Sequence, residues 1–251
     1  MYFNDVHILI YSFIAVAGFF IGKFVNWCNY RLPEYKPVFS KEIFKTKEFE
    51  NYKPNLLISL ITMFIYILLL YAFGIQKTFL GNLTLIKYLI LTPMLLSAFI
   101  IDYKLQIIPN RLNMTMFEIG IILMFLGGIF NANIAIDMFL GMIVGSGIFL
   151  IITLVGGLIA GKEAMGFGDV KLMGALGIFF GLANIIAITL MSFLIGAILS
   201  IIVLVTKIKK TDEYIPFGPS IVIATFITML VPFKMIISVL LFVFSLGMIR
   251  I

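Results

Sequence analysis

Two aspartates, Asp102 and Asp169, are the residues whose type and position best suit a chemical reaction. Asp102 follows an apolar stretch that ends at Ile101, and Asp169 precedes one that begins at Val170. An ionisable side chain at the edge of a bilayer is costly to place there and is therefore a functional candidate. If the fold brings both carboxylates into one partly dry place, they share a proton. One can then activate water while the other polarises a carbonyl, so the pair predicts acid–base hydrolysis without a metal or a nucleophilic serine.

The composition around these aspartates is typical of a helical membrane protein. Of 251 residues, 62% are hydrophobic and 12% are charged, whereas soluble domains have about 45–50% and about 25%. The mean hydropathy is +1.17. The apolar runs are unbroken and about 20 residues long, as spanning helices require, and they do not alternate as the strands of a membrane barrel do. The predicted fold class is all-α and polytopic, with about eight or nine transmembrane helices.

The distribution of basic residues predicts the orientation of the apolar segments. Nine such segments can be counted: Val6–Cys28, Asn55–Phe73, Leu83–Ile101, Leu112–Phe130, Ile134–Ala160, Val170–Phe180, Asn184–Thr206, Pro219–Val231 and Met235–Ile249. Only three of the 18 Lys and Arg residues, Lys77, Lys87 and Lys234, fall on the side reached by the even-numbered segments. The positive-inside rule makes the other side cytoplasmic and the N-terminus external. Asp102 and Asp169 are then both expected at the cytoplasmic edge of the membrane.

The sixth segment, Val170–Phe180, is unusually short. About eleven helical residues span roughly 17 Å, against a hydrocarbon core of about 30 Å. If this segment did not cross, Lys207, Lys209 and Lys210 would be external, so the charge rule favours a short complete crossing that turns at Gly181–Asn184. If the ninth segment does not cross, eight spans remain.

Three parts are predicted along the chain: a first anchor over residues 1–28, a short cytoplasmic loop over 29–54 and a membrane-embedded core over 55–251. No basic region precedes the first segment, so it is expected to be a retained anchor rather than a cleaved signal. The loop is too short for a core of its own, and an interfacial helix is expected over Lys41–Tyr52. The single cysteine, Cys28, is expected to be buried packing and excludes a cysteine-cluster zinc site.

A structural role is the alternative for each charged candidate. Asp169 could simply cap its helix, and Asp102 stands at a helix end that disfavours a carboxylate. Lys104 and Arg111 could be solvated partners. Glu118, one or two turns into the fourth segment, could line the same cavity as the aspartates or pair with one of these basic residues.

Four stretches of the sequence are similar to the motifs of one family. Asp102 is followed by Ile-Ile-Pro-Asn at 107–110, and residues 165–172 read Met-Gly-Phe-Gly-Asp-Val-Lys-Leu. Residues 215–219 read Ile-Pro-Phe-Gly-Pro, while Gly-Lys-Phe-Val-Asn at 22–26 precedes Tyr-Arg-Leu-Pro at 30–33. In this order they resemble the motifs of the type IV prepilin peptidases, which are intramembrane aspartyl proteases of the Gly-x-Gly-Asp type. Two positions depart from that pattern: Asn110 replaces an aspartate, and Lys23 replaces a serine.

The resemblance implies that Asp102 and Asp169 are the catalytic pair. It also implies a set of supporting residues around them: Gly166, Gly168, Lys171, Pro109, Pro216 and Gly218. The two glycines either let a substrate strand pair with their loop or form a tight turn into the helix. Lys171 either stabilises the charge of Asp169 or extends to lipid headgroups. The turn Pro216–Pro219 either walls the site or starts the eighth helix.

The resemblance further implies the substrate, the compartment and a second activity. Prepilins and pseudopilins carry a basic leader before an apolar helix and are cut between the two at the cytoplasmic face of the bacterial inner membrane. Proteolysis would need no cofactor and no nucleic acid, and the oligomeric state is not predicted. Many members also methylate the new N-terminus with S-adenosylmethionine, and Asn26 and Arg31 mark the candidate methyl-transfer region. The family's zinc-binding cysteine pairs are absent here, so zinc is not expected and methylation is doubtful.

Two other classes of function compete with a peptidase. A cation-coupled transporter would use intramembrane carboxylates as ion sites, but it is expected to place them near mid-membrane on interrupted helices. An assembly protein that has kept the fold without activity is the third class. The position of both aspartates at one edge favours the peptidase over the transporter.

Overall fold

The computed structural model describes residues 2–4, 6–36, 38, 52, 54–161, 165–206 and 215–245. Two short strands, β1 (Tyr2–Phe3) and β2 (Val6–His7), pair antiparallel before the first helix. The described helices are α1 (Ile8–Arg31), α2 (Leu56–Phe73), α3 (Phe79–Leu105), α4 (Asn110–Phe130), α5 (Ala132–Ala160), α6 (Phe167–Thr206), α7 (Gly218–Leu230) and α8 (Phe233–Phe244), with a 3-10 turn at Leu32–Glu34. Six of these helices are long and apolar enough to cross a membrane, and α7 and α8 are shorter apolar helices. The all-α polytopic fold class is therefore confirmed, and the chain is a multi-pass membrane protein.

The chain divides into two compact units, Met1–Ile101 and Asp102–Ile251, with the division inside α3. In the first unit, α1 and α2 pack antiparallel with their backbones close together. A Cβ on Gly18 would lie 2.9 Å from the Cα of Met63, and Gly22 lies against Ser59 in the same way. The hydroxyl of Tyr66 on α2 donates to the carbonyl of Leu89 on α3 over 2.7 Å. Glycine therefore acts here as a close-packing residue rather than as a turn.

In the second unit, α5 is the helix against which α6 folds. Over residues 167–180 of α6 the contacts run antiparallel to α5. Gly141 of α5 touches the backbone of Gly177, and a Cβ on Gly145, one turn later, would lie 2.7 Å from the carbonyl oxygen of Met173. As the residue number rises along α5, the residue number of the contacting partner on α6 falls. The two segments therefore run in opposite directions.

Over residues 182–206 the contacts run parallel to α5. The same Gly145 position would be 2.8 Å from the Cγ1 of Ile185, and the Phe149 ring stacks on Phe193 with centroids 5.5 Å apart. The backbone at Gly181 is non-helical, with φ 75° and ψ 179°. α6 is thus a hairpin of two arms that reverses at Gly181, as the sequence predicted for Gly181–Asn184. A straight helix of its 40 residues would be about 60 Å long, roughly twice the hydrocarbon thickness.

With α6 read as two arms, every one of the nine predicted apolar segments has a helical counterpart. The short β-hairpin before α1 was not predicted. The last helix, α8, packs its Ile236 and Leu240 against Ala187 on the second arm of α6. The interfacial helix predicted over Lys41–Tyr52 and the basic stretch from Lys207 to Lys210 fall largely or wholly outside the described residues. The division into residues 1–28, 29–54 and 55–251 stays a prediction.

Candidate active site

Asp102 lies in the last turn of α3, where it is 4% exposed. The helix ends just after it, because Gln106 adopts a left-handed conformation (φ 57°) while its N–H donates to the Asp102 carbonyl oxygen over 2.8 Å. The side chain accepts a second bond: the backbone N–H of Gly218 donates to Oδ2 over 2.9 Å. Gly218 is the first residue of α7, so the carboxylate stands at a helix N-terminus, where negative charge is stabilised.

Asp169 lies in the first turn of α6 and is also 4% exposed. Its N–H donates to the carbonyl of Gly166 over 3.1 Å, which tightens the start of the helix. Its Oδ1 is buried and has no hydrogen-bond partner among the described residues. Asp102 acts electrostatically on Asp169. The structure therefore brings together the two aspartates that the sequence singled out, both at helix ends and both withdrawn from solvent.

The turn before α7 is held by aromatic packing that the sequence analysis did not identify. The ring of Phe217 packs on Phe193 and Phe149, with centroids 5.2 Å and 6.0 Å apart. A Cβ on Gly196 would lie 2.6 Å from the Phe217 ring, so glycine makes room for it. These contacts fix the residue next to Gly218 and thereby aim the Gly218 N–H at the aspartate.

Gly218 also has to be small. A Cβ there would lie 2.6 Å from Oδ2 of Asp102 and 3.0 Å from its Cγ, closer than real Cβ atoms approach such groups. Pro219 lies in the first turn of α7, so this turn both starts the helix and contacts the carboxylate. Pro216 is half-buried before that turn, and Pro109 is buried at the residue before α4.

The two glycines of the Gly-x-Gly-Asp motif have different positions. Gly166 precedes α6, whereas Gly168 lies inside its first turn. A Cβ on Gly168 would lie 3.2 Å from the Cβ of Ile108, so its lack of a side chain lets the segment before α4 pack closely. This arrangement fits the tight turn into the helix. It does not fit an extended strand at Gly168, because a helical residue cannot offer the ladder that a substrate strand needs.

Lys171 has a partner that the sequence analysis did not name. Its ammonium donates to Oδ1 of Asn110 over 2.8 Å. Asn110 is the position at which the family motif has an aspartate, so the lysine here bonds to a neutral amide oxygen where the motif would give an ion pair. The bond joins the first residue of α4 to the first turns of α6.

Asn113 is the site residue that the sequence analysis missed. It is 1% exposed, and its Nδ2 donates to the carbonyl of Gly168 over 3.2 Å. Its Oδ1 is buried without a partner in the described part of the chain. A lone asparagine in an amphipathic stretch carries no signal by itself, and only the packing of α4 on α6 brings it to the residue before Asp169.

Asn26 and Arg31, the candidate methyl-transfer residues, belong to the first unit and are used by its packing. The Asn26 side chain donates to the Asn55 carbonyl and accepts the Asn55 N–H, each over 3.0 Å, and so fixes the start of α2. Arg31 is fully buried with its guanidinium over the Trp27 ring, 5.1 Å from the centroid. These polar groups serve the packing of the first unit, and their part in methyl transfer stays a prediction.

One further candidate is placed outside the dyad. Glu118 is exposed on α4, on a different side of the helix from the buried Asn113. Among the residues that the structure describes, no group of three His, Cys, Asp or Glu side chains could hold a metal ion. The absence of zinc stays a prediction, because the short loop lies partly outside those residues.

Comparisons with known proteins agree with the site. Residues 89–201, which include both aspartates, match the type IV leader peptidase family. A prepilin leader peptidase/N-methyltransferase of Aeromonas hydrophila is 31% identical over 142 residues, 57% of this chain and 48% of that protein. Proteins of the same name are 30% identical over 171 residues in Neisseria gonorrhoeae (68% and 55%) and 33% identical over 142 residues in Pseudomonas aeruginosa (57% and 48%).

The chain spans about half the length of these curated relatives. No solved structure matches it significantly. The matched region contains the end of α3 with Asp102, the whole of α4 and α5, and the Gly-x-Gly-Asp turn with Asp169. This region holds both buried carboxylates in the order and spacing of the family motifs, so the similarity to the type IV leader peptidase family covers the site itself.

Proposed function

We propose that this protein is a membrane aspartic endopeptidase that removes the basic leader from prepilin-like or pseudopilin substrates. The observation that carries the proposal is the burial of Asp102 and Asp169, each 4% exposed, within electrostatic reach of each other at the ends of two helices. Two neighbouring buried carboxyl groups can act as the general base and the general acid of peptide hydrolysis.

The reaction needs only the two carboxyl groups, a water molecule and the peptide. One carboxylate takes a proton from water as its oxygen attacks the scissile carbonyl carbon, and the protonated carboxyl donates its proton to the carbonyl oxygen. The tetrahedral intermediate collapses when the C–N bond breaks: the leaving nitrogen takes up a proton from one carboxyl group of the dyad, while the other carboxylate takes a hydroxyl proton back from the gem-diol as its carbonyl re-forms. No covalent bond to the enzyme forms, and the proton count of the pair is restored at the end of the cycle.

The resemblance to the type IV prepilin peptidases implies the substrate, and the position of the dyad agrees with it. Helix ends that carry Asp102 and Asp169 suit a scissile bond at the membrane boundary, where a basic leader meets an apolar helix. We propose that this boundary is the cytoplasmic face of the bacterial inner membrane and that the N-terminus is external. The positive-inside distribution of Lys and Arg supports this orientation.

A transporter is a weaker proposal for the same carboxylates. Both aspartates stand at helix ends and one accepts a backbone N–H, whereas a coupled-ion site is expected at unwound helices near mid-membrane. Methylation stays outside the proposal. The relatives are named for it, but Asn26 and Arg31 serve the packing of the first unit here.

Co-expression with a prepilin tests the proposal. Wild type, Asp102→Asn and Asp169→Asn are compared with Asp137→Asn, a matched change at an exposed aspartate of the second unit. The two dyad variants are expected to leave the leader uncleaved, and the control is expected to cleave normally. Leader removal by either dyad variant would disprove the catalytic pair. Mass spectrometry of the mature N-terminus in the same samples shows whether a methyl group is added.

A second experiment tests the orientation. In a Cys28→Ser background, cysteines are introduced as Lys45→Cys and Lys209→Cys. Both are expected to resist an impermeant thiol reagent applied from outside the cell. Labelling of the second but not the first would show that the two arms of α6 do not make two crossings.

A further inference from the structure

Asn113 is a buried polar residue near the dyad. It has no role in the reaction proposed above. It lies in the first turn of α4 and is 1% exposed. Asparagine is a poor helix former, and burying an amide is unfavourable unless its polar atoms are hydrogen-bonded. A leucine would fill such a position at less cost if packing were all that mattered.

Half of this amide has a structural partner. The Nδ2 group donates to the Gly168 carbonyl over 3.2 Å. This carbonyl is part of the peptide bond between Gly168 and Asp169. Asn113 therefore contacts the backbone directly next to the proposed catalytic carboxyl group. The donor side of the amide thus helps to hold the start of α6.

The acceptor side of the amide has no such partner. Within the part of the chain that the structure describes, the Asn113 Oδ1 and the Asp169 Oδ1 are both buried and both lack a donor. Two donors of the site bond elsewhere: the Gly218 N–H bonds to Asp102 and the Lys171 ammonium bonds to Asn110. Buried acceptors are normally satisfied, so a donor supplied by a bound molecule is expected.

We propose that Asn113 is a substrate-positioning residue, whose Oδ1 accepts a hydrogen bond from a backbone N–H of the bound peptide next to the scissile bond. This inference rests on the proposed function. In that reaction the Asp169 Oδ1 faces the water or the scissile carbonyl, and the Asn113 Oδ1 takes the N–H of a neighbouring peptide group. A peptide backbone suits this acceptor because it presents N–H donors whatever its side chains are.

A thermodynamic cycle between enzyme and substrate tests the proposal. The enzymes are wild type and Asn113→Leu, both purified in detergent. The substrates are a synthetic prepilin-like peptide and two esters, each of which replaces one backbone N–H flanking the scissile bond by oxygen. If Asn113 accepts that N–H, one ester lowers kcat/KM of the wild type about fivefold, the factor expected for one neutral hydrogen bond. The same ester is expected to leave kcat/KM of Asn113→Leu unchanged, because the interaction is already lost.

The outcomes separate this inference from the function on which it rests. Wild type that leaves the amide peptide intact would overturn the proposed function, and the inference with it. Wild type that cuts the peptide while each ester lowers kcat/KM equally in both enzymes would overturn the inference alone, since Asn113 would then be structural. Asn184→Leu is the control, because Asn184 makes a similar side-chain bond to the Phe180 carbonyl in the same unit. It should retain the wild-type response to both esters. Asn113→Ala replaces Asn113→Leu if the larger side chain prevents folding.

Discussion

At each end of the first arm of α6, residues 167–180, an aspartate accepts a backbone N–H at the start of a helix. One of these aspartates is buried and the other is exposed. At one end, Asp102 accepts the N–H of Gly218 at the start of a helix over 2.9 Å. At the other end, Asp137 accepts the N–H of Leu182 at the start of the second arm over 3.1 Å. Asp137 is exposed and stands away from the dyad, whereas Asp102 is 4% exposed beside a second carboxylate.

The difference between these ends separates a structural aspartate from a chemical one. A solvated carboxylate that caps a helix stabilises it and needs nothing more. The Asp169 carboxylate is buried beside another one and has an oxygen without a donor among the described residues, which is the setting that the proposed reaction requires. The residue type is the same at both ends, so burial and the neighbouring carboxylate decide its role.

The largest effect is expected from Gly218→Ala. The new Cβ would lie 2.6 Å from Oδ2 of Asp102, so the carboxylate must move from its N–H donor. A displacement near 1 Å in a catalytic group costs roughly 100-fold in rate, and we expect a fall of kcat/KM of that order. Gly147→Ala on α5 is the matched control, because a Cβ there has no atom within 4 Å. Equal peptidase activity in both variants would remove Gly218 from the site.

At the structural end, Gly181→Ala is expected to lower stability more than activity per folded molecule. The backbone there has φ 75°, and a Cβ would overlap the Asp137 carboxylate. The loss is expected to be about 2 kcal/mol, because backbone strain and steric overlap add.

Gly161→Ala is the control for Gly181→Ala. It has a φ of 64° and a ψ of 11°, and nothing lies within 4 Å of its Cβ, so it carries only the milder strain of the left-handed helical region. Thermal unfolding in detergent should show a smaller loss for this control. Equal losses would mean that neither the Asp137 contact nor the more demanding backbone at Gly181 adds to the loss of stability.

A smaller effect is expected from removing the Asp137 carboxylate. Asp137→Ala loses the acceptor for the Leu182 N–H, and such a helix cap contributes about 1 kcal/mol. Asp137→Asn keeps an oxygen at that position and should recover most of the lost melting temperature. Cleavage of a prepilin by both variants should stay near wild type when it is normalised to folded protein. Loss of cleavage in Asp137→Asn would contradict a purely structural role for Asp137, and with it the contrast with Asp102.

The smallest effect is expected from Asn110→Asp. This change converts the bond from Lys171 into an ion pair at a partly solvated position, where such pairs contribute about 0.2–1 kcal/mol. The melting temperature is expected to rise slightly at low salt and to return to the wild-type value at high salt, because salt screens the pair. Lys171→Met in both backgrounds completes the cycle. A rise that persists at high salt, or without the lysine, would point to another cause.

The order of the helices could be predicted from the sequence because membrane spans are local features. Long apolar runs and basic connections can be recognised from a few neighbouring residues. The short sixth segment and the basic residues after the seventh predicted the reversal near Gly181. The terminal β-hairpin was missed because four residues give too little pattern. The helical position of Gly168 was also left open, because two spaced glycines fit an extended loop as well as a helix start.

The sequence by itself determined that the protein is a polytopic helical membrane protein and that Asp102 and Asp169 are its chemical candidates, because hydrophobicity and charge act residue by residue. Only the tertiary structure decided what completes each carboxyl group. The Gly218 N–H that bonds to Asp102 is 116 positions away in the sequence. Asn113 is 55 positions from Gly168, whose carbonyl it contacts, and Asp137 is 45 positions from Leu182, whose N–H it accepts. Such contacts depend on how closely glycine-lined helices pack, and that spacing is set by the whole fold rather than by any one stretch.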